Sequence, residues 1–338
     1  MSADILLHVF VGLAPVLCFL AALLYLDSYK LVSMRAVVTV VFCGLVVALA
    51  SYLVNAWLLR VTAIDLDTFK RYFGPLVEEL FKAVVIIALV RMHRIGFLVD
   101  AAIFGFAVGT GFAIVENLYY QRLIPDAGIG TWIVRGFGTA IMHGGTTAIF
   151  AVMGLSMLER RRWPALLAFA PGFALAVALH SAFNHMYLPP QYMTLAVLLV
   201  LPPLAYGVFK MSDRAVGDWL VQGFDADASM LESINSGQFS DSPTGRYLHT
   251  LKDRFHGPVV ADLLCYVRLH TELALRAKGV LMMRENGFAV PPDEETRSKF
   301  TEIRYLRTSI GKTGLIAIHP LLHMSSKDLW QLNMLKNP

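Results

Sequence analysis

Charge is scarce in this sequence. Only 16% of its residues are Asp, Glu, Lys or Arg, where an average soluble chain has about 25%. Apolar residues make up 56%, and the mean hydropathy is +0.58. Most of the chain therefore cannot be an ordinary soluble domain. Cysteine is scarcer still. Cys18, Cys43 and Cys265 show no pairing spacing, which weighs against a disulfide framework and a cysteine zinc site. No internal repeat is visible. Gly311–Lys312–Thr313–Gly314 lacks the upstream glycine and strand of a phosphate-binding loop. No HExxH pattern is present. The balanced charge of the last third gives no sign of nucleic-acid binding.

What is present is a series of apolar blocks about 20 residues long, the length that crosses a hydrocarbon core of about 30 Å. Seven are expected to span, near residues 5–25, 36–59, 74–91, 97–119, 133–157, 165–186 and 192–209. The first has no preceding Lys or Arg and no small-residue cleavage site, so it reads as a retained span. One set of loops carries Lys30, Arg35, Arg91, Arg94, Arg160, Arg161, Arg162, Lys210 and Arg214. The other carries Arg60, Lys70, Arg71, Arg122 and Arg135. The richer side is expected to be cytoplasmic, with the N-terminus outside and Glu159–Trp163 as the firmest anchor. A bacterial inner membrane is the natural setting.

The composition changes after Lys210. Residues 211–338 hold 15 basic and 15 acidic side chains and no spanning apolar run. The expected organisation is an all-α membrane helix bundle over 1–210 and a cytoplasmic, mostly helical domain over 211–338. Residues 257–283 have helical apolar spacing, 291–306 look like a proline-started helix with an acidic first turn, and 235–245 read as a polar loop.

Ionisable residues inside spans are costly and mark functional sites when they face the protein interior. Here they are Glu78, Glu79, Lys82, Glu116, His143, His180 and His185, with Asn117 and Asn184 beside them. At 1.5 Å per residue, Glu78 and Glu79 lie about 6–8 Å from the outer edge, Glu116 about 5 Å, His180 about 9 Å and His143 about 15 Å. Four helices thus place carboxylate or imidazole in one half of the membrane. Glu78 and Glu79 stand four and three residues before Lys82, so both can reach its ammonium. Alone, that triplet fits a buried ion pair equally well. His180 and Asn184 share a helix face. His185 reads as a boundary residue, and Asp100 as a helix cap. Gly105 and Gly109, followed by Gly111, allow close helix approach.

Carboxylates in different surroundings can act as base and anchor, and imidazoles can serve a developing oxyanion. Two histidines with carboxylates also suit zinc. Hydrolysis fits all three uses. A transporter would be expected to show broken helices and paired repeats, and a non-catalytic receptor or scaffold would keep the cluster for structure only.

The motifs resemble the PrsW family of intramembrane proteases, related to the CAAX prenyl and bacteriocin-immunity membrane proteases. Glu78-Glu79-Leu80-Phe81-Lys82 matches EExxK, where the related proteases usually carry EExxxR. Phe112, Glu116 and Asn117 match FxxxE followed by Asn. His143 matches the histidine of a later span, and His180 with Asn184 matches HxxxN. The resemblance covers about residues 1–210. It implies hydrolysis of a peptide bond in a membrane-associated, single-span protein near the outer face, such as first cleavage of an anti-sigma factor in envelope-stress signalling. Glu78 and Glu79 would activate or position water, with Lys82 holding the pair ionised. Glu116 would complete the acidic cluster or stabilise the leaving amine. His143 and His180 would stabilise the oxyanion, and Asn184 would orient a histidine or substrate carbonyl. Glutamate-activated water is the favoured chemistry. Zn2+, if used, is expected on Glu116, His143 and His180. The tail is expected to regulate or to dock a cytoplasmic partner.

Overall fold

Lipid offers backbone amides no partner, and a helix satisfies them internally. The apolar blocks accordingly form helices. The computed structural model describes residues 3–160, 164–288, 290–291, 293–322 and 325–336, and among these every regular element is helical. Arg161, Arg162 and Trp163 of the expected anchor lie outside the described residues. The long helices of the apolar region are α1 (Ala3–Leu26), α2 (Met34–Thr62), α3 (Gly74–Arg91), α4 (Leu98–Leu123), α5 (Ile141–Glu159), α6 (Ala170–His185) and α7 (Pro190–Asn235).

Among the described residues, six stretches are long and apolar enough to cross a membrane: Asp4–Leu26, Met34–Thr62, Leu98–Leu123, Ile129–Glu159, Leu167–His185 and Pro190–Asn235. The expected third span is helical as α3, but Glu78, Glu79, Lys82 and Arg91 set it apart by charge. Local signals place the helix starts. Ser33 Oγ accepts from the Ala36 amide at 3.4 Å ahead of α2. Pro75 sits in the first turn of α3. Asp100 Oδ2 accepts from the amides of Gly96 and Phe97 at 2.9 and 3.3 Å, so its capping role holds. The last span was expected to stop near residue 209. The helix that holds it, α7, continues to Asn235 and stops where Gly237 takes φ +76°. The polar residues after Lys210 change what surrounds the helix, not its backbone.

Packing divides the chain after Ser212, with Ser28–Leu31 grouped with the later residues. In the first unit α4 is central. Every side chain from Val99 to Ala113 is buried, and α4 packs on α1, α2 and α5. In the second unit, α8 (Pro243–Thr250), α9 (Gly257–Glu285) and α10 (Glu294–Ile318) pack around Leu263, Val267, Leu306, Ile310 and Ile318, and α11 (Ser326–Lys336) packs on α9. Asp293, not a proline, caps α10, its carboxylate accepting from the Thr296 amide at 2.5 Å. The expected polar loop at 235–245 contains a short turn, Gln238–Asp241, whose Phe239 joins that core, and the start of α8.

Small residues set how closely the first unit packs. A Cβ on Gly109 would meet the His143 carbonyl oxygen at 2.2 Å, and one on Gly111 the Val41 carbonyl oxygen at 2.0 Å. Both clashes are with backbone, so the helices would have to move apart. Gly109→Ala is expected to cost about 1–3 kcal/mol, read as a lower thermal midpoint of the full chain in detergent. Gly128→Ala, with nothing within 4 Å of the added atom, should leave the midpoint in place.

Candidate active site

Glu79 and Lys82 lie one turn apart on the buried face of α3, with side chains 2% and 0% exposed. Lys82 Nζ donates to Glu79 Oε1 at 2.8 Å and to His143 Nδ1 of α5 at 2.9 Å. It also lies 4.3 Å from the centre of the Phe112 ring of α4, a cation–π contact. An ammonium has only donors, so His143 Nδ1 must accept. Its proton then sits on Nε2, which donates to Glu116 Oε2 at 2.7 Å. Glu79 Oε1 also accepts from His180 Nδ1 at 2.8 Å and Thr146 Oγ1 at 3.2 Å. The proton on His180 Nδ1 leaves Nε2 as the lone-pair nitrogen of a neutral ring. The two rings meet edge to face at 4.8 Å.

Glu78, one position from Glu79, is turned about 100° around the helix. Its contacts are looser. Asn55 Nδ2 of α2 donates to Oε1 at 3.4 Å, and His180 Nε2 is 3.8 Å from Oε2. Glu78 and Glu116, 22% and 26% exposed, line an open cleft of about 650 Å³ walled by α1, α2 and α4.

The structure thus brings together six of the seven residues expected from sequence: Glu78, Glu79, Lys82, Glu116, His143 and His180. It does not bring Asn184. Its Nδ2 donates to the Lys70 carbonyl at 3.0 Å, as Ser181 Oγ does to the Arg71 carbonyl at 2.6 Å. The cause is Pro75. Residues Phe69–Phe73 form a π-helical turn, and the carbonyls of Lys70 and Arg71 fall five and four residues before a proline that has no N–H. Pro75 removes one backbone donor there, and Asn184 and Ser181 of α6 supply side-chain donors to the two carbonyls, fixing the entry to α3. His185 also stands apart from the cluster, between Tyr72 and Tyr187.

Sequence reasoning missed three participants. Arg135, counted with the outer loops, is buried in a second π-helical segment, Val134–Ala140. Its Nε donates to Asn117 Oδ1 at 2.8 Å, its Nη2 lies 3.4 Å from Glu116 Oε1, and the guanidinium stacks over Tyr120 at 3.8 Å. Burial of an Arg beside an intramembrane carboxylate is a pairing that loop position conceals. Thr146 and Asn55 are ordinary polar helix residues and carried no signal.

The cluster holds three carboxylates against Lys82 and Arg135, one negative charge more than those two cations balance. A proton or a metal ion would balance it. Donor atoms of Glu78, His143 and His180 lie within 4.8 Å of one another. Two imidazoles and a carboxylate are the composition of catalytic zinc sites that keep one position open. His180 already has the carboxylate partner on its far nitrogen that ligating histidines usually carry. The group differs from the expected Glu116, His143 and His180 because Glu116 is drawn toward Arg135 and His143. These residues fit a zinc ion once His143 Nε2 has lost the proton it donates to Glu116, because only a bare ring nitrogen can ligate a metal.

A family model described as PrsW family intramembrane metalloprotease matches residues 28–208, more than half of the chain. The chain belongs to the PrsW family. Searches of curated proteins and of solved structures returned no match. The PrsW match covers α2 to α6 and the first part of α7, and with them every residue of the cluster. The protein is therefore an integral membrane member of an intramembrane protease family.

The network of this PrsW protein depends on the Lys82–Glu79 pair. Removing one partner of a buried pair leaves the other uncompensated, at a cost of about 3–5 kcal/mol. Lys82→Met should lower stability by that order in chemical denaturation of the detergent-solubilised chain. Lys82→Met combined with Glu79→Leu should recover more than half of the loss, because Glu79 is then not left charged without its ammonium.

Proposed function

We propose that this chain is an endopeptidase that hydrolyses a peptide bond of a single-span membrane protein near the outer face of the membrane. The observation that carries the reading is the convergence of Glu78, Lys82, Glu116, His143 and His180 from four helices, with Glu78 and Glu116 lining an open cleft and the other three buried behind them. A purely structural cluster would tie down every carboxylate. Glu79 is held by three donors, whereas the partners of Glu78 stand at 3.4 and 3.8 Å. The same looseness is what a proton-accepting base needs.

In the proposed reaction, Glu78 takes a proton from water as the water oxygen bonds to the scissile carbonyl carbon. As the oxyanion forms, the His143 Nε2–H is shared between Glu116 and that oxygen, with the positive charge of Lys82 behind the ring. The C–N bond then breaks and the proton held by Glu78 passes to the leaving nitrogen. Glu79 does not react. It fixes Lys82 and His180 and so sets the geometry. Glu116 with Arg135 holds His143 in the tautomer that donates. A zinc ion held by Glu78, His143 and His180 would supply Lewis-acid polarisation of the carbonyl and a more acidic water.

The proposal extends to an N-terminus outside, a C-terminus in the cytoplasm of a bacterial cell, and an anti-sigma factor as substrate. The loop charges support that orientation, and it is the more consistent with Arg135 buried rather than in an outer loop. The residues after Lys210 are proposed to regulate the protease or to dock a cytoplasmic partner. Deleting the residues beyond Asn235, where α7 ends, should then change cleavage or its control in cells.

Glu78→Gln should lower cleavage of single-span test peptides in lipid vesicles at least about 100-fold, with the thermal midpoint of the protein unchanged. Equal cleavage by the variant would remove Glu78 from the chemistry. Elemental analysis of the purified protein separates the two mechanisms. Near-stoichiometric zinc with chelator-sensitive cleavage supports the metal route, and full cleavage without metal supports water activated by Glu78 alone.

A further inference from the structure

The cleft beside Glu78 and Glu116 has mostly apolar walls, contributed by side chains such as Ile5 and Val9 of α1 and Leu49 of α2. Two carboxamides are among the polar side chains that interrupt them. Gln121 of α4 lines the cleft and is 8% exposed, yet neither its Oε1 nor its Nε2 has a hydrogen-bond partner among the described residues. Asn55 donates through Nδ2 to Glu78, while its buried Oδ1 accepts from nothing among them. Buried amide groups are almost always paired, and leaving them unpaired is costly. Neither amide serves the fold through any hydrogen bond of these atoms. One offers a donor and an acceptor, the other an acceptor, and that is the complement of a peptide group.

Their spacing matches an extended chain. Gln121 follows Glu116 by five residues on α4, an axial distance of about 7.5 Å. Two residues of extended backbone cover about 6.6 Å. We propose that Gln121 is a substrate-positioning residue, which pairs with the backbone N–H and C=O of an extended segment about two residues from the scissile bond. Asn55 Oδ1 accepts a substrate N–H nearer Glu78. This rests on the peptidase reading of the same cleft and adds the conformation of the substrate. In a helix, backbone N–H and C=O groups are already paired, so a helical span has nothing to offer the two amides. An unwound segment does. The site therefore selects for a locally unwound chain and not for particular side chains, in the way that a pocket built for hydrogen bonds rejects a ligand lacking free partners.

Binding can be read without turnover. The full-length Glu78→Gln protein, in lipid nanodiscs, is titrated with a dye-labelled single-span peptide whose outer end is Gly-Ser rich. A matched peptide with Ala at those positions, helical to its end, is the control. Adding Gln121→Met should weaken binding of the Gly-Ser peptide about tenfold, as expected for losing a buried pair of hydrogen bonds. It should leave the weak binding of the Ala peptide unchanged, and thermal stability equal or higher, because an unpaired buried amide has been removed. Gln121→Leu serves as the second variant and should behave alike. Equal affinity for the Gly-Ser peptide with and without Gln121, no preference between the two peptides, or no binding at all would overturn the proposal. So would a loss of stability in both variants, which would make Gln121 a structural residue. Binding of the Gly-Ser peptide that depends on Gln121, with no cleavage by the wild-type protein, would sink the peptidase reading instead.

Discussion

A single ammonium group sets the arrangement of the site. Lys82 is fully buried in a protein whose surroundings are apolar, and an unpaired charge there would be prohibitively costly. Its partners come from three helices: Glu79 of its own, Phe112 of α4 and His143 of α5. Everything else follows in order. Because Lys82 can only donate, His143 must accept on Nδ1 and carry its proton on Nε2. That proton selects Glu116, which in turn holds Arg135. Because Glu79 answers Lys82, its oxygen can also orient His180. A change at one position therefore propagates as a change in tautomer or in charge, not only as a lost contact.

Such a network needs the helices close together. Gly109 of α4 lies against the backbone at His143 and Gly144 of α5, and Gly111 against Gly44 of α2. Larger residues would move His143 away from both Lys82 and Glu116, whose bonds to it are 2.9 and 2.7 Å. Two of the site-bearing helices, α3 and α5, are also entered through π-helical turns. Such turns rotate the following helix relative to the preceding one and are frequent near functional sites. The second of them places Arg135 within reach of Glu116. The packing and the chemistry are in this sense one device.

Much of this was legible in the sequence, because lipid makes polar residues conspicuous. Glu78, Glu79, Lys82, Glu116, His143 and His180 stand out from apolar runs, and the structure gathers all six. The all-α architecture followed from the lengths of those runs. Other features were hidden for identifiable reasons. Arg135 sits near a span's end, where an arginine ordinarily faces water, so its burial could not be inferred. Asn184 shares a face with His180, but the Lys70 carbonyl, in the π-helical turn before Pro75, takes it up. That competing demand was present in the sequence and visible only once the preceding turn was known to be π-helical. That α7 continues as one helix to Asn235 could not be read from the composition change after Lys210, because such a change does not end a helix, whereas a left-handed glycine such as Gly237 does.

Two adjacent carboxylates in an apolar helix can be understood from the pitch of the helix. Neighbours point about 100° apart, so one can face the protein core while the other faces a cleft. Glu79 takes the inner direction and spends its capacity on Lys82, His180 and Thr146, which makes it a poor base and a good anchor. Glu78 takes the outer direction and keeps its oxygens only loosely engaged. A pair spaced i,i+4 would have put both on the same face, competing for the same ammonium. Adjacency therefore separates the fixed carboxylate from the available one without a second helix, and the rest of the cluster supports that division. The histidine held by Glu79 turns its other nitrogen toward Glu78, so the anchor also orients the group that faces the base.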